Sequence, residues 1–153
     1  MAWVVDENKI NKLKKDKADW EEKLADYEED FIILSDQEIV IARVYTICDN
    51  TDHLTLSLGA SIDEMSKVSE EVRVTGYNEV FDFSDLKSGG SSLLSKLKNS
   101  NLDYMDQLKS IGEQIDKLKG EVATNIQKAD SMIAAIDNDI NYTRTHPTIW
   151  VKD

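Results

Sequence analysis

The sequence predicts an all-α protein: an elongated antiparallel helical hairpin or bundle with a long, coiled-coil-like C-terminal helix. Three observations carry this. Apolar residues recur at steps of three and four through two long tracts, the spacing that places them on one helix face. Helix breakers are scarce, with 6 Gly and 1 Pro in 153 residues, while charged residues make up 31% and can furnish wide solvated faces. The only cluster that breaks the pattern is central, where Gly76 and Gly89-Gly90 bracket three aromatics, Tyr77, Phe81 and Phe83.

From the N-terminus, Ile10, Leu13, Trp20, Leu24, Tyr27, Phe31 and Leu34 form the first stripe, with Lys17 filling the gap between Leu13 and Trp20. "SDQE" at 35–38 has the form of a capping box, so a new helix could start at Ser35 and kink the tract. The β-branched run "IVIARVYTIC" also suits a buried strand, but Ile41, Val44 (or Tyr45) and Cys48 continue the helical stripe, which favours helix. "DNTD" at 49–52 is a turn or N-cap signal. Leu54, Leu58, Ile62, Met65 and Val72 make a second, shorter stripe up to Gly76.

The last segment is the most regular. Leu102, Met105, Leu108, Ile111, Ile115, Leu118, Val122, Ile126, Ala129, Met132, Ile133, Ile136 and Ile140 keep the spacing for some forty residues. That is roughly 60 Å of helix at 1.5 Å per residue. Pro147 and "NYTRTHPT" should end the helix near Tyr142, leaving Trp150 exposed unless it docks back. The organisation is therefore one helical domain over 1–153: a helical region at 6–73, a bend at 74–92, a long helix at 93–142 and a tail at 143–153.

Composition excludes several functions. A net charge of −12 opposes binding to nucleic acid or an anionic membrane surface. No uncharged run is long enough to span a bilayer, and "MAWVVDENK" lacks the basic start and apolar run of a signal peptide. The expected location is cytoplasmic, with co-secretion by a signal-peptide-independent route as the way out. One cysteine, Cys48, rules out an internal disulfide and reads as a small core side chain. His53 and His146 have no ligand partners at metal spacing. Asp63-Glu64 and Glu70-Glu71 are helix neighbours that point apart. Gly89-Gly90-Ser91-Ser92 lacks the Gly-Lys-Ser/Thr ending of a phosphate loop. No catalytic, cofactor or metal site is expected, and the chain reads as a non-enzymatic protein.

A hairpin with such long stripes must cover them internally or with a partner. Leu108, Ile111, Ile115, Leu118, Val122 and Ile126, central in the long stripe, are the candidate partner-binding residues. The tract from Glu21 to Glu38, opposed only by Lys23, biases the partner towards a basic surface, or it simply keeps a helix face solvated.

At the bend, the order is helix, a turn with Gly at its third position (Val74-Thr75-Gly76), an aromatic at Phe81, then a long helix. It resembles the Trp-Xaa-Gly superfamily of helical hairpins handled by type VII secretion systems, and in particular the longer helical partner proteins encoded beside LXG-domain toxins. Val74 stands where that family has Trp. The resemblance implies a turn motif at Val74 and Gly76, and a targeting signal of aromatic, three residues and an acid. "YTICD" (Tyr45, Asp49) and "FDFSD" (Phe81, Asp85) both fit. With 30 acids among 153 residues, eight Tyr and Phe should give one or two such matches by composition. Position therefore selects Phe81 and Asp85, which follow the bend. The implied function is a chaperone or targeting factor that pairs with the helical N-terminal region of a secreted LXG-type toxin. The residues alone support a second expectation, a homo-oligomeric coiled-coil scaffold or adaptor that self-associates along 101–141.

Overall fold

The computed structural model describes the backbone of residues 1–74 and 84–152 and the side chains of 1–67 and 88–152. Two long helices, α1 (Glu7–Val74) and α2 (Ser84–Thr145), pack antiparallel as a helical hairpin. Two short strands, β1 (Ala2–Val4) and β2 (Ile149–Val151), pair antiparallel with Trp3 opposite Trp150. The chain divides into two compact units: 1–37 with 115–153, and 38–114.

In the first unit, α1 opens on a capped turn. Asp6 Oδ1 accepts the Lys9 amide at 2.9 Å, satisfying one of the donors a helix start leaves orphaned. Val5, just before the cap, packs with the cluster around Ile10, and this hydrophobic staple fixes the entry of the chain. Ile10, 2% exposed, meets Ile136 and Ile140 from α2, with Leu13 and Trp20 alongside. The inward positions alternate three and four strictly: Ile10, Leu13, Lys17, Trp20, Leu24 and Tyr27 on α1, and Ile126, Ala129, Ile133, Ile136, Ile140 and Thr143 on α2. Strict alternation is the seven-residue repeat of a coiled-coil seam. Two lysines sit in this seam and each has a partner there. Lys17 Nζ lies 2.8 Å from Asp137 and 3.6 Å from Glu21. Lys119 places its ammonium 5.3 Å from the centre of the Phe31 ring. The hydrogen bond that Lys17 donates to the Asp137 carboxylate raises the Lys17 pKa above its ordinary value. Helix α2 ends at Thr145 because Pro147 disfavours helical backbone at His146, whose amide still bonds the Tyr142 carbonyl.

In the second unit the same alternation continues through different residues. The inward positions on α1 are Ile41, Cys48, Asp52, Thr55, Gly59 and Ile62, and α2 supplies Lys98, Asn101, Met105, Leu108 and Gly112. The seam is half polar. Asn101, 7% exposed, donates from Nδ2 to the Cys48 carbonyl at 2.7 Å, tying the helices side chain to backbone. Thr55 turns its hydroxyl onto the Asp52 carbonyl at 2.7 Å, while Asp52 Oδ1 is buried without a hydrogen-bond partner. At Gly90 a Cβ would stand 3.0 Å from Ile62 Cδ1, so only glycine fits there without displacement.

Residues 39–48 are helix, as the continuing stripe favoured. Several other sequence expectations change against these elements. No new helix begins at Ser35: α1 runs through it, and the Ser35 hydroxyl bonds the Phe31 carbonyl at 2.8 Å instead of capping. "DNTD" is likewise internal, with the Thr51 hydroxyl on the Ile47 carbonyl. Of the expected bend at 74–92, Val74 closes α1 and 84–92 belong to α2, so Gly89-Gly90 are helical and Gly90 serves close helix approach. Thr75 to Phe83, including Gly76, Tyr77 and Phe81, lie outside the described residues, as does the side chain of Asp85. The expected exposed tail forms β2, where Trp150 docks edge-on against Trp3 at 5.0 Å between ring centres.

Candidate partner-binding surface

The structure divides the six candidate residues. Ile115 is buried, and Leu108, Val122 and Ile126 are half-buried in the seams between α1 and α2. They are occupied within the hairpin. Ile111, in the second unit, and Leu118, in the first, point outward. The reason is visible in the repeat. Reading for apolar residues alone steps from Leu108 to Ile111 and from Ile115 to Leu118, but the strict repeat passes through Gly112 and Lys119. One apparent stripe was therefore two rows, an inner one and an outer one.

The same division is larger on α1 in the second unit. Of the described side chains of the expected stripe there, only Ile62 faces α2; Leu54, Leu58 and Met65 are exposed, and the side chain of Val72 lies outside the described residues. They belong to an outer row, Val40, Val44, Ile47, Thr51, Leu54, Leu58, Ser61 and Met65, which keeps its own alternation of four and three. At about 100° per residue this row lies roughly a third of a turn round the helix from the inner row. Its apolar members are exposed, Ile47 and Leu54 by 64% each. Sequence reasoning missed Val40 and Ile47. The available signal was this second repeat, offset from the first and more apolar than the polar seam beside it.

Helix α2 adds a matching row. Leu97, Tyr104 and Ile111 are exposed, seven residues apart, each just before an inward residue (Lys98, Met105, Gly112). In antiparallel helix pairs, positions that immediately precede the first residue of each inner pair flank the seam on a common side. The bond from Asn101 to Cys48 and the approach of Gly112 to Ile41 set the helix register. That register places Val40, Ile47 and Leu54 level with Ile111, Tyr104 and Leu97. The second unit thus presents one broad apolar face built from both helices. On the other side of its seam, Gly59, Ala60, Ser91 and Ser95 open a groove of about 440 Å³ that also borders Asp63 and Lys98.

The first unit differs. Its outer α1 surface carries most of the acidic tract, interrupted by exposed Ile32 and Ile33. Its other exposed apolar side chains are Leu118, Met132 and Tyr142 on α2 and those of the β1–β2 ribbon, with Trp3 59% and Trp150 47% exposed.

Among the described residues no group of three or more His, Cys, Asp or Glu could hold a metal ion, and no helix is long and apolar enough to cross a membrane. Cys48 is a free thiol in the second seam, and His53 lies 3.7 Å from Asp49, one turn away on the same helix. Compared with protein-family models, curated proteins and solved structures, the chain matches none of them.

Proposed function

We propose that this protein is a non-enzymatic interaction protein whose work is to pair with helices of another chain. A single observation carries the reading: in the second unit the seam between α1 and α2 is half polar, while large apolar side chains in seven-residue repeat face outward. A helix that only served its own hairpin would place Leu54 and Leu58 in the seam and Asp52 and Thr55 in water. The reverse arrangement suits a surface meant to be covered.

Within this reading the specific role is that of a chaperone or targeting factor for the helical N-terminal region of a toxin secreted by a type VII system. The support is the sequence resemblance at Gly76, Phe81 and Asp85, with Val74 in place of the family's Trp, together with the hairpin architecture. Co-expression with a neighbouring gene product that carries a long helical N-terminal region tests the role. A stable complex whose export falls with Phe81→Ala and Asp85→Ala, at unchanged melting temperature, supports it. A Phe81→Ala variant that is destabilised while Asp85→Ala is silent assigns these residues to the fold and removes the targeting role.

A further inference from the structure

The structure assigns the outer face of the second unit to one occupant: a single amphipathic helix of a different protein, at least three heptads long, with opposite charges at its two ends. The assignment rests on the reading above and specifies its partner. The face has the width of one helix seat, because α2 contributes a single row (Leu97, Tyr104, Ile111) beside the fuller row of α1. The row from Val40 to Met65 sets the length, about 37 Å at 1.5 Å per residue. The exposed apolar side chains of both rows, each leaving between 38% and 64% of its surface in water, amount to on the order of 800 Å². That matches one partner's share of a standard interface and exceeds the few hundred Å² that monomers usually leave as one patch.

The rims specify the chemistry. Along α2 the rim is exposed and uncharged: Ser100, Gln107 and Gln114. Along α1 the rim reads Arg43, Asn50, Ser57 and Glu64 at successive heptads, all exposed, with a cation at one end and an anion at the other. A partner helix complementary to this rim carries uncharged polar flanks at its centre, an acid opposite Arg43 and a base opposite Glu64. The net charge of −12 disfavours a second copy of the chain, which would bring the same excess of acids to the contact.

The test uses the full chain and synthetic 30-residue helices with Leu and Ile at the heptad positions and Ser and Gln flanks. One peptide bears an acid at one end and a base at the other; two controls bear acids at both ends or bases at both ends. Binding is read by fluorescence anisotropy, with circular dichroism confirming that each protein variant stays folded. The expected result is that the mixed-charge peptide binds several-fold more tightly than either control. Leu54→Glu and Tyr104→Glu should weaken it at least tenfold, and Met132→Glu, on the first unit, should leave it unchanged. A concentration-dependent dimer that Leu54→Glu dissolves would overturn the assignment in favour of a second copy. Peptide binding that ignores Leu54→Glu and Tyr104→Glu would overturn the placement while leaving a helix-binding function intact. If none of the peptides binds and the chain stays monomeric, the single-helix seat is wrong. The co-expression experiment then decides separately whether the protein pairs with a helical partner at all.

Discussion

The two units of this hairpin use the same repeat to opposite ends. In the first, Ile10, Ile136 and Ile140 fill the seam and most charges face water. In the second, Asp52, Thr55 and Asn101 occupy the seam, and Leu54, Leu58, Leu97 and Tyr104 face water. A seven-residue repeat fixes which positions meet the partner helix and says nothing of what chemistry fills them. The difference teaches that one half of the hairpin is built to hold itself together. The other ties its helices through Asn101 in a polar seam and turns large apolar side chains outward, the feature on which the proposed pairing with another chain rests.

The comparison breaks most directly in the first unit. Ile10→Ala should cost about 3 kcal/mol in urea unfolding, because a 2%-exposed isoleucine leaves a cavity its neighbours cannot close. A loss below about 1 kcal/mol would mean that the first unit is no better packed than the second. Smaller effects of opposite sign are expected in the polar seam. Asn101→Ala should cost about 1 kcal/mol, since it removes the donor to the Cys48 carbonyl. Asp52→Leu should instead stabilise by about 1 kcal/mol, because it removes a buried carboxylate oxygen without a partner and restores an apolar seam position. If Asp52→Leu destabilises, the seam is satisfied as it stands and the contrast between the units weakens.

Smaller still, Leu58→Ser should change stability by no more than about 0.5 kcal/mol, as an exposed site contributes little to folding. A large loss there would put Leu58 in the fold itself. The least effect belongs to Lys17. Its pKa is raised in the folded protein, so its contribution with Asp137 is fully present below the ordinary lysine value of 10.5. It fades only as pH rises through the higher folded value. Stability should therefore be insensitive to Lys17→Met substitution above that range and slightly sensitive at neutral pH, which paired thermal melts would show.

Much of this architecture was legible in the residues. The helical hairpin followed from the stripes, and Lys17 was placed correctly between Leu13 and Trp20 because the repeat left no other residue for that position. The inner row of the second unit was legible only in part: Ile41, Cys48, Ile62, Met105 and Leu108 were read, but Asp52, Thr55 and Gly59 do not look like a core. Apolar matching passed over them to Leu54 and Leu58 on the neighbouring row. The six candidate residues span two rows for the same reason: Ile111 and Leu118 were merged with Leu108 and Ile115. Ser35 and Thr51 imitate cap residues, but in a helix held by tertiary packing their hydroxyls can return to carbonyls of the preceding turn. Gly90 reads as a turn residue until Ile62 is seen against it. The β1–β2 ribbon joins residues nearly 150 positions apart, and three-residue strands carry no periodic signal.

The most direct test of the contrast is native-state hydrogen exchange on the isolated chain, resolved by segment. The account predicts that amides of 13–31 and 122–140 exchange far more slowly than those of 41–62 and 98–108, because only the first unit buries an apolar seam of its own. Equal protection in the two sets would contradict it, since a second unit as stable as the first would not need another chain to cover its outer face.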